Sequence, residues 1–310
     1  MASPVSLAQG GVVNLGEQLG RGARRLAAAG VEAPRQQARW LLAHVLDIDP
    51  STLFARWHQT LSAEAAERYG ELIDARCRHR PLQHLLGTWP FLDFELRCDE
   101  RALVPRPETE DLVLAVSELV GDEPLNRVID VGTGGGCIAL ALARRHPALE
   151  VLALDADRDA LALARENAES LGVAGRIGLL RSDLLESLAP LGAATVVVAN
   201  LPYVTAEEWE TLEPEVRDHE PRRALVAGEG GLALIRRLMR QAAGRLSPGG
   251  WLALEMAPGQ TASIAAELGN AGWESCRVAR DRFDRPRIVT ARWRGPAAHP
   301  DRRLRRGAIP

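Results

Sequence analysis

The chain has 310 residues, 46% hydrophobic and 25% charged, so it is long enough for two domains and apolar enough to give each a core. The chain has no lysine, so its 38 Lys or Arg residues are all arginines, and it has 41 acidic residues. The resulting formal net charge of -3 argues against a protein whose main role is to bind a polyanion such as nucleic acid. The four cysteines lie far apart, without a CxxC or zinc-binding pattern, so we expect reduced thiols. We find no secretion signal and no apolar stretch long enough to cross a bilayer, and we expect a cytoplasmic protein without a membrane partner.

The first part of the chain predicts a small all-helical domain over residues 1–88. Apolar residues recur there at helical spacing, beginning with Leu15 and Leu19, and a further helix is expected over 63–78. From Trp89 to Val104 apolar and polar residues alternate on either side of a turn at 98–101. This alternation predicts a two-stranded hairpin that links two domains over residues 89–104.

From residue 105 to 295, runs of β-branched residues alternate with helical patterns. Strict alternation of strand and helix predicts an α/β fold, a doubly wound and mostly parallel sheet with helices on both faces. Two late strands, at about 274–279 and 287–293, are expected to close the sheet in antiparallel fashion. The tail 296–310 has no apolar face and is predicted to be disordered.

A glycine-rich turn follows the first predicted strand of this sheet and opens a helix. It reads Asp130-Val131-Gly132-Thr133-Gly134-Gly135-Gly136. Ligands of open α/β sheets bind beyond the carboxyl ends of the strands, and glycine lets backbone N–H groups approach a ligand closely. The turn therefore predicts a binding site.

Two families of ligand fit this turn. The stretch Gly134 to Ala139 matches the dinucleotide pattern GxGxxA, which keeps a nicotinamide enzyme open. The other frame, with acids after the next two strands at Asp155 and Asp183, resembles the class I S-adenosylmethionine (AdoMet) methyltransferases. That resemblance implies that Asp155 binds the ribose hydroxyls, Asp183 meets the adenine amino group and the glycine turn cradles the methionine moiety. The cationic ammonium and sulfonium groups of AdoMet suit the nearby carboxylate of Asp130.

The fourth predicted strand of the sheet runs into Asn200-Leu201-Pro202-Tyr203, which we take as the catalytic motif. A planar nitrogen with two N–H groups needs two acceptors and a flat surface. The side-chain oxygen of Asn200 and the carbonyl of Leu201 can accept, while Tyr203 can stack. The motif therefore favours methylation of an amide or exocyclic amine, carried mainly by positioning because no general base is evident.

Leu103-Val104-Pro105-Arg106-Pro107-Glu108-Thr109-Glu110 resembles the signature of the HemK/PrmC family, the N5-glutamine methyltransferases of peptide chain release factors. The likeness continues through Pro81 to Gly87, the glycine turn, Asn200 to Tyr203, and Glu220-Pro221. It implies a helical substrate-recognition domain, a hairpin and a class I catalytic domain over 105–295. It also implies that Asn200 and Tyr203 hold the glutamine amide of a Gly-Gly-Gln motif. The implied AdoMet pocket comprises Asp130, Gly132, Thr133, Gly134, Gly135, Gly136, Asp155, Asp183, Leu184 and Asn200.

Leu201 departs from the Asn-Pro-Pro-Tyr that is usual in this family. Its carbonyl can still accept, but the fixed φ of proline is lost. Asn-Leu-Pro-Tyr also resembles the motif of rRNA adenine dimethyltransferases, so N6-adenine methylation of RNA or DNA stays open. So does glutamine methylation of a large-subunit ribosomal protein. We expect a monomer that acts on release factors without binding nucleic acid directly, because the catalytic domain is acidic.

Overall fold

A computed structural model describes residues 14–120, 127–189 and 194–295. The tail from Pro296, predicted to be disordered, lies outside the described residues. The chain divides into two compact units. The helical unit runs up to Thr88 and also contains Glu213–His219; the sheet unit comprises Trp89–Leu212 and the chain from Glu220 onward. Among the described residues, no helix combines the length and the apolar character needed to cross a membrane.

The helical unit is built on helices whose apolar faces meet. Its α-helices are α1 (Leu15–Ala28), α2 (Pro34–Leu46), α3 (Ala63–Cys77) and α4 (Leu82–Leu86). Leu15, Leu19 and Leu26 of α1 are buried, as their spacing predicts. A close approach of α1 to α3 depends on Gly22, where a Cβ would lie 2.2 Å from the hydroxyl oxygen of Tyr69.

A short segment from late in the sequence also belongs to the helical unit, which the sequence does not predict. Six of its residues form a helix, Pro214–His219. The buried guanidinium of Arg76 pairs with Glu215, and the His219 ring nitrogen Nε2 lies 2.9 Å from the carbonyl oxygen of Arg78. Polar contacts rather than an apolar face therefore attach this segment.

The linking hairpin has its turn in a different place from the prediction. Its strands are β1 (Thr88–Phe91) and β2 (Phe94–Arg97), so the chain reverses at Leu92 and Asp93 and not at 98–101. Leu92 adopts a positive φ of 52°, and its N–H donates to the carboxylate of Glu110 at 2.9 Å. A turn also exists at 99–101, where Asp99 accepts the N–H of Arg101, but it follows β2 instead of separating two strands.

The sheet unit has the predicted doubly wound order. Its strands are β3 (Arg127–Val131), β4 (Glu150–Asp155), β5 (Ile177–Arg181), β6 (Ala194–Asn200), β7 (Leu246–Glu255), β8 (Glu274–Arg280) and β9 (Pro286–Arg292). They lie in the order β5-β4-β3-β6-β7-β9-β8. The first five are parallel, while β9 runs antiparallel to β7 and β8, which confirms the predicted late antiparallel pair.

Helices cover both faces of this sheet. The α-helices of the sheet unit are α5 (Pro107–Val120), α6 (Cys137–Arg145), α7 (Arg158–Ser170), α8 (Ala206–Trp209), α10 (Gly228–Gly231), α11 (Ala233–Ala242) and α12 (Thr261–Asn270), and α9 is the Pro214–His219 helix of the helical unit. Val196 and Val198 of β6 join the buried cluster that includes α5 and α6, whereas Val197 and Ala199 join the one that includes α11 and α12. This alternation buries both faces of β6, as a central parallel strand requires.

Candidate functional site

A cavity of about 530 Å³ opens at the carboxyl ends of β3, β4 and β6. Its volume lies within the range of small-molecule sites. The glycine turn forms one wall with Gly132, Thr133, Gly134 and Gly135. Two N–H groups of the turn, those of Gly132 and Thr133, donate to the carbonyl of Leu154 at 2.8 and 2.9 Å, which fixes the turn against β4.

The turn needs glycine because its backbone is left-handed. The φ angles of Gly132, Gly134 and Gly136 are 73°, 56° and 92°. A Cβ on Gly132 would also lie 2.9 Å from the Cδ2 atom of Leu201. Gly136 lies behind the wall, where a Cβ would meet Leu140 at 2.8 Å, so it serves the packing of α6 and does not line the cavity.

Asp130 lies beneath the glycine turn and is fully buried. Its Oδ2 atom accepts both the Thr133 hydroxyl at 2.6 Å and the Ala139 N–H at 3.1 Å, which ties β3 to the turn and to α6. Its other oxygen has no hydrogen-bond partner among the described residues. Burial raises the pKa of Asp130 to about 7. The structure thus gives Asp130 a supporting position and does not place it on the cavity wall.

Asp155 ends β4 and lies on the wall. Its two oxygens accept different backbone N–H groups, Oδ2 from Gly134 and Oδ1 from Asp157, each at 2.9 Å. Burial raises the pKa of Asp155, and the hydrogen bond from Gly134 and the charge of Arg223 counteract it. The acid that was predicted from its place at a strand end therefore also shapes the glycine turn.

Asp183 and Leu184 line the cavity on the side of β5. The Asp183 carboxylate is half exposed and accepts a hydrogen bond from Arg237 at 2.9 Å. Leu184 is buried with a φ of 50°, so it turns the chain at this point. A further charged pair on the wall, that of Arg223 with Asp157, was not predicted from the sequence.

Three of the four motif residues, Asn200, Leu201 and Pro202, line the same cavity. The Asn200 amide nitrogen donates to the buried Thr109 hydroxyl at 3.1 Å. Tyr203 is half-buried and is not among the lining residues. Its hydroxyl accepts from Arg287 at 2.9 Å, its carbonyl accepts from Gln260 at 3.0 Å, and burial raises its pKa to about 12.

The signature segment forms another part of the wall through Leu103, Val104, Pro105 and Arg106. Glu220, whose side chain is 1% exposed, accepts from Arg106 at 2.6 Å and from the Val104 N–H at 3.2 Å. It joins this segment to the lining residues Pro221, Arg223 and Ala224. The Glu220-Pro221 motif was recognisable from sequence, but its role as a buried anchor was not.

The acids of the signature segment have structural partners. Glu108 pairs with Arg285, and Glu110 pairs with Arg282 at 2.8 Å; neither lines the cavity. Both lie in the first turn of α5, where the helix dipole also favours negative charge. Thr109 between them does line the cavity, and its hydroxyl accepts the hydrogen bond from the Asn200 amide nitrogen.

The chain matches two family models, one described as "PrmC N-terminal domain" over residues 17–87 and one as "Methyltransferase small domain" over residues 113–213. A protein named "Release factor glutamine methyltransferase" from Deinococcus radiodurans is 42% identical over 284 residues, which cover 91% of this chain and all of that one. A protein of the same name from Cereibacter sphaeroides is 39% identical and covers 86% of this chain and 94% of its own.

Among solved structures, the catalytic domain of hMettl16 in complex with an RNA hairpin of the MAT2A 3′UTR is 18% identical, with a TM-score of 0.53. The likeness covers 76% of this chain and 84% of that one. It bears on the fold alone, in agreement with a class I methyltransferase sheet. By its similarity to curated relatives over nearly its whole length, the chain belongs to the release factor glutamine methyltransferase family.

Proposed function

We propose that this chain transfers the methyl group of AdoMet to the side-chain amide N5 of the glutamine in the Gly-Gly-Gln motif of peptide chain release factors. One observation carries the proposal. The glycine turn and the motif residues Asn200, Leu201 and Pro202 line one cavity, in a chain 42% identical to a relative of that name. The proposal includes residues 1–88 as a substrate-recognition domain, 89–104 as a linker and 105–295 as the catalytic domain.

The wall residues fit AdoMet. The cavity has the volume of a small-molecule site, and it is lined by a glycine turn whose backbone a ligand can approach closely and by the carboxylates of Asp155 and Asp183, which can accept hydrogen bonds from hydroxyl and amino groups. We assign Asp155 to the ribose hydroxyls, Asp183 and Leu184 to the adenine, and the lining part of the turn, Gly132 to Gly135, to the methionine moiety, with Gly136 supporting the turn from behind. Asp130 supports the site without lining the cavity, because its carboxylate accepts a hydrogen bond from the Thr133 hydroxyl and so holds the turn in place.

When bound, AdoMet would supply an electrophilic methyl group, so that the N–C bond would form as the C–S bond breaks, the electron pair would stay on sulfur, and the amide nitrogen would release a proton to solvent. The residues of this chain position the acceptor. Asn200 and the carbonyl of Leu201 accept the two amide N–H groups, Pro202 shapes the turn, and Tyr203 offers a planar ring. Holding both N–H groups favours lone-pair density toward the methyl group and removes much of the entropic barrier.

The proposal also takes the protein to act in the cytoplasm, as a monomer, without direct binding of nucleic acid. A test incubates the full chain with isotopically labelled AdoMet and, separately, a release factor, large-subunit ribosomal proteins and rRNA. We expect label in the release factor alone, and loss of that label when the Gly-Gly-Gln glutamine is replaced by alanine. Label in rRNA or in a ribosomal protein, with none in the release factor, would overturn the proposal.

A further inference from the structure

A buried carboxylate that the proposed chemistry does not use lies beside the motif. Glu255 ends β7, and in the parallel pairing of β6 with β7 it is the register partner of Asn200. Its side chain is 0% exposed, and it does not line the cavity. A carboxylate in such a place is costly to bury, which calls for an explanation.

One neighbour connects Glu255 to Asn200. Neither oxygen of the Glu255 carboxylate has a hydrogen-bond partner among the described residues, and the nearby Thr109 hydroxyl lowers its pKa against the larger effect of burial. The same hydroxyl oxygen accepts from the Asn200 amide nitrogen at 3.1 Å. A hydroxyl has a single proton, so orienting it toward Glu255 leaves the oxygen free to accept from Asn200. The amide nitrogen of Asn200 then faces Thr109, and its carbonyl oxygen faces away from Thr109, as an acceptor for the substrate must.

A second neighbour connects Glu255 to Tyr203. The Arg287 Nε atom lies 3.8 Å from Oε1 of Glu255. The same guanidinium donates from Nη2 to the Tyr203 hydroxyl at 2.9 Å, and its carbon lies 5.3 Å from the centroid of the Tyr203 ring. Because an arginine fork is planar and rigid, this contact fixes both the ring and its hydroxyl.

We infer that Glu255, Thr109 and Arg287 form a positioning set that holds Asn200 and Tyr203 in the orientation needed to receive a planar amide. The inference rests on the proposed function for the identity of that amide. The set comes from three distant parts of the chain, α5, β7 and β9, and meets only in the folded sheet. None of its members accepts a proton from the substrate; each acts through Asn200 or Tyr203.

The ionisation of Glu255 gives the set a measurable signature. Burial raises its pKa to about 7. The ionised carboxylate attracts the Thr109 proton, whereas the protonated carboxyl group does not. The Asn200 side-chain amide should therefore be held most firmly in one orientation above pH 7. The charged or titratable groups that act on Glu255, or on which it acts, are Arg287 of β9, Glu108 and Asp111 of α5, Cys137 of α6, and Tyr203.

The test uses the full chain with Glu255→Gln, Thr109→Val and Thr109→Ser. Glu267→Gln is the matched control, because Glu267 pairs with Arg236 at 2.8 Å and neither residue lines the cavity. With a release factor as substrate, we expect kcat to fall roughly tenfold in Glu255→Gln and on the order of 100-fold in Thr109→Val. We expect Thr109→Ser to restore most of it. The AdoMet Kd of Glu255→Gln should stay within about twofold of the wild type, since Glu255 is not on the wall.

A second measurement does not need a methyl acceptor. The side-chain amide resonances of Asn200, identified by their loss in Asn200→Asp, should shift in the wild type with a midpoint near pH 7. They should not titrate in Glu255→Gln or Thr109→Val. The same titration in Glu255→Gln, or none in the wild type, overturns the inference. A wild-type chain that methylates no release factor would overturn the proposed function instead, while the amide resonances would still decide the positioning set.

Discussion

Replacing Asp155 by asparagine tests the cofactor half of the site, because both oxygens of this carboxylate are engaged. Gly134 and Asp157 each donate a backbone N–H to a different oxygen at 2.9 Å. An asparagine offers one acceptor and one NH₂ group, so in either rotamer one backbone N–H faces another donor. A hydrogen bond to a charged group contributes about 1.5–3 kcal/mol. If the carboxylate also holds the ribose, AdoMet affinity should fall by roughly 10- to 100-fold.

Isothermal titration of AdoMet into the wild type, Asp155→Asn and the surface control Asp93→Asn measures this change. The Asp93 side chain is 68% exposed and pairs with Arg144 at 3.5 Å, so its replacement should leave the Kd within about twofold. Thermal unfolding without ligand separates a collapsed turn from a lost ligand contact. An Asp155→Asn protein with unchanged Kd would refute the assignment of Asp155 to the ribose, even if its unfolding temperature fell.

Three further variants address the rest of the site. Asn200→Ala should abolish methyl transfer while the unfolding temperature stays close to that of the wild type, because one acceptor is removed; retained turnover in a radiolabel assay would mean that the amide is held elsewhere. Asp130→Asn should stabilise the fold at pH 8 but not at pH 4, because its raised pKa makes the folded state lose stability as pH rises from about 4 to about 7. Its two hydrogen bonds converge on one oxygen, which an asparagine can reproduce, and a pH slope of urea unfolding equal to that of the wild type would contradict this reasoning. Gly132→Ala should lower the free energy of unfolding by about 1–2 kcal/mol because of its positive φ, and by a further amount because the new Cβ clashes with Leu201. Adding Leu201→Ala should remove the part due to the clash but not the part due to φ. If the effects of the two substitutions on urea unfolding were strictly additive, the predicted clash would be contradicted.

The order of strands and helices was predictable because it depends on local pattern. Alternating β-branched runs and helical stretches identified the parallel sheet, and the glycine turn marked the end of β3. The hairpin turn was misplaced because Leu92 and Asp93 carry no glycine or proline signal, while Asp99 and Arg101 do resemble a turn. The left-handed backbone of Leu92 is held by Glu110, a contact 18 residues away.

The parts of the site that sequence reasoning missed depend on contacts between distant residues. Glu255 meets Asn200 only because β7 pairs with β6, and Arg287 reaches Tyr203 only because β9 pairs with β7. A charged residue at the end of the apolar run that forms β7 was a signal of the same kind as Asp130, and it could have singled out Glu255. Arg287 carried no such signal. The chain has 38 arginines and no lysine, so the presence of an arginine does not by itself mark a functional position.

The central claim is that the acceptor is the side-chain amide of one glutamine. Tandem mass spectrometry of a release factor after incubation with the full chain and AdoMet tests it most directly. We predict that the peptide containing Gly-Gly-Gln gains the mass of one methyl group, that the fragments place it on the glutamine, and that Asn200→Ala leaves this peptide unmodified. A methyl group on any other residue, or an unmodified release factor beside methylated rRNA, would contradict the account.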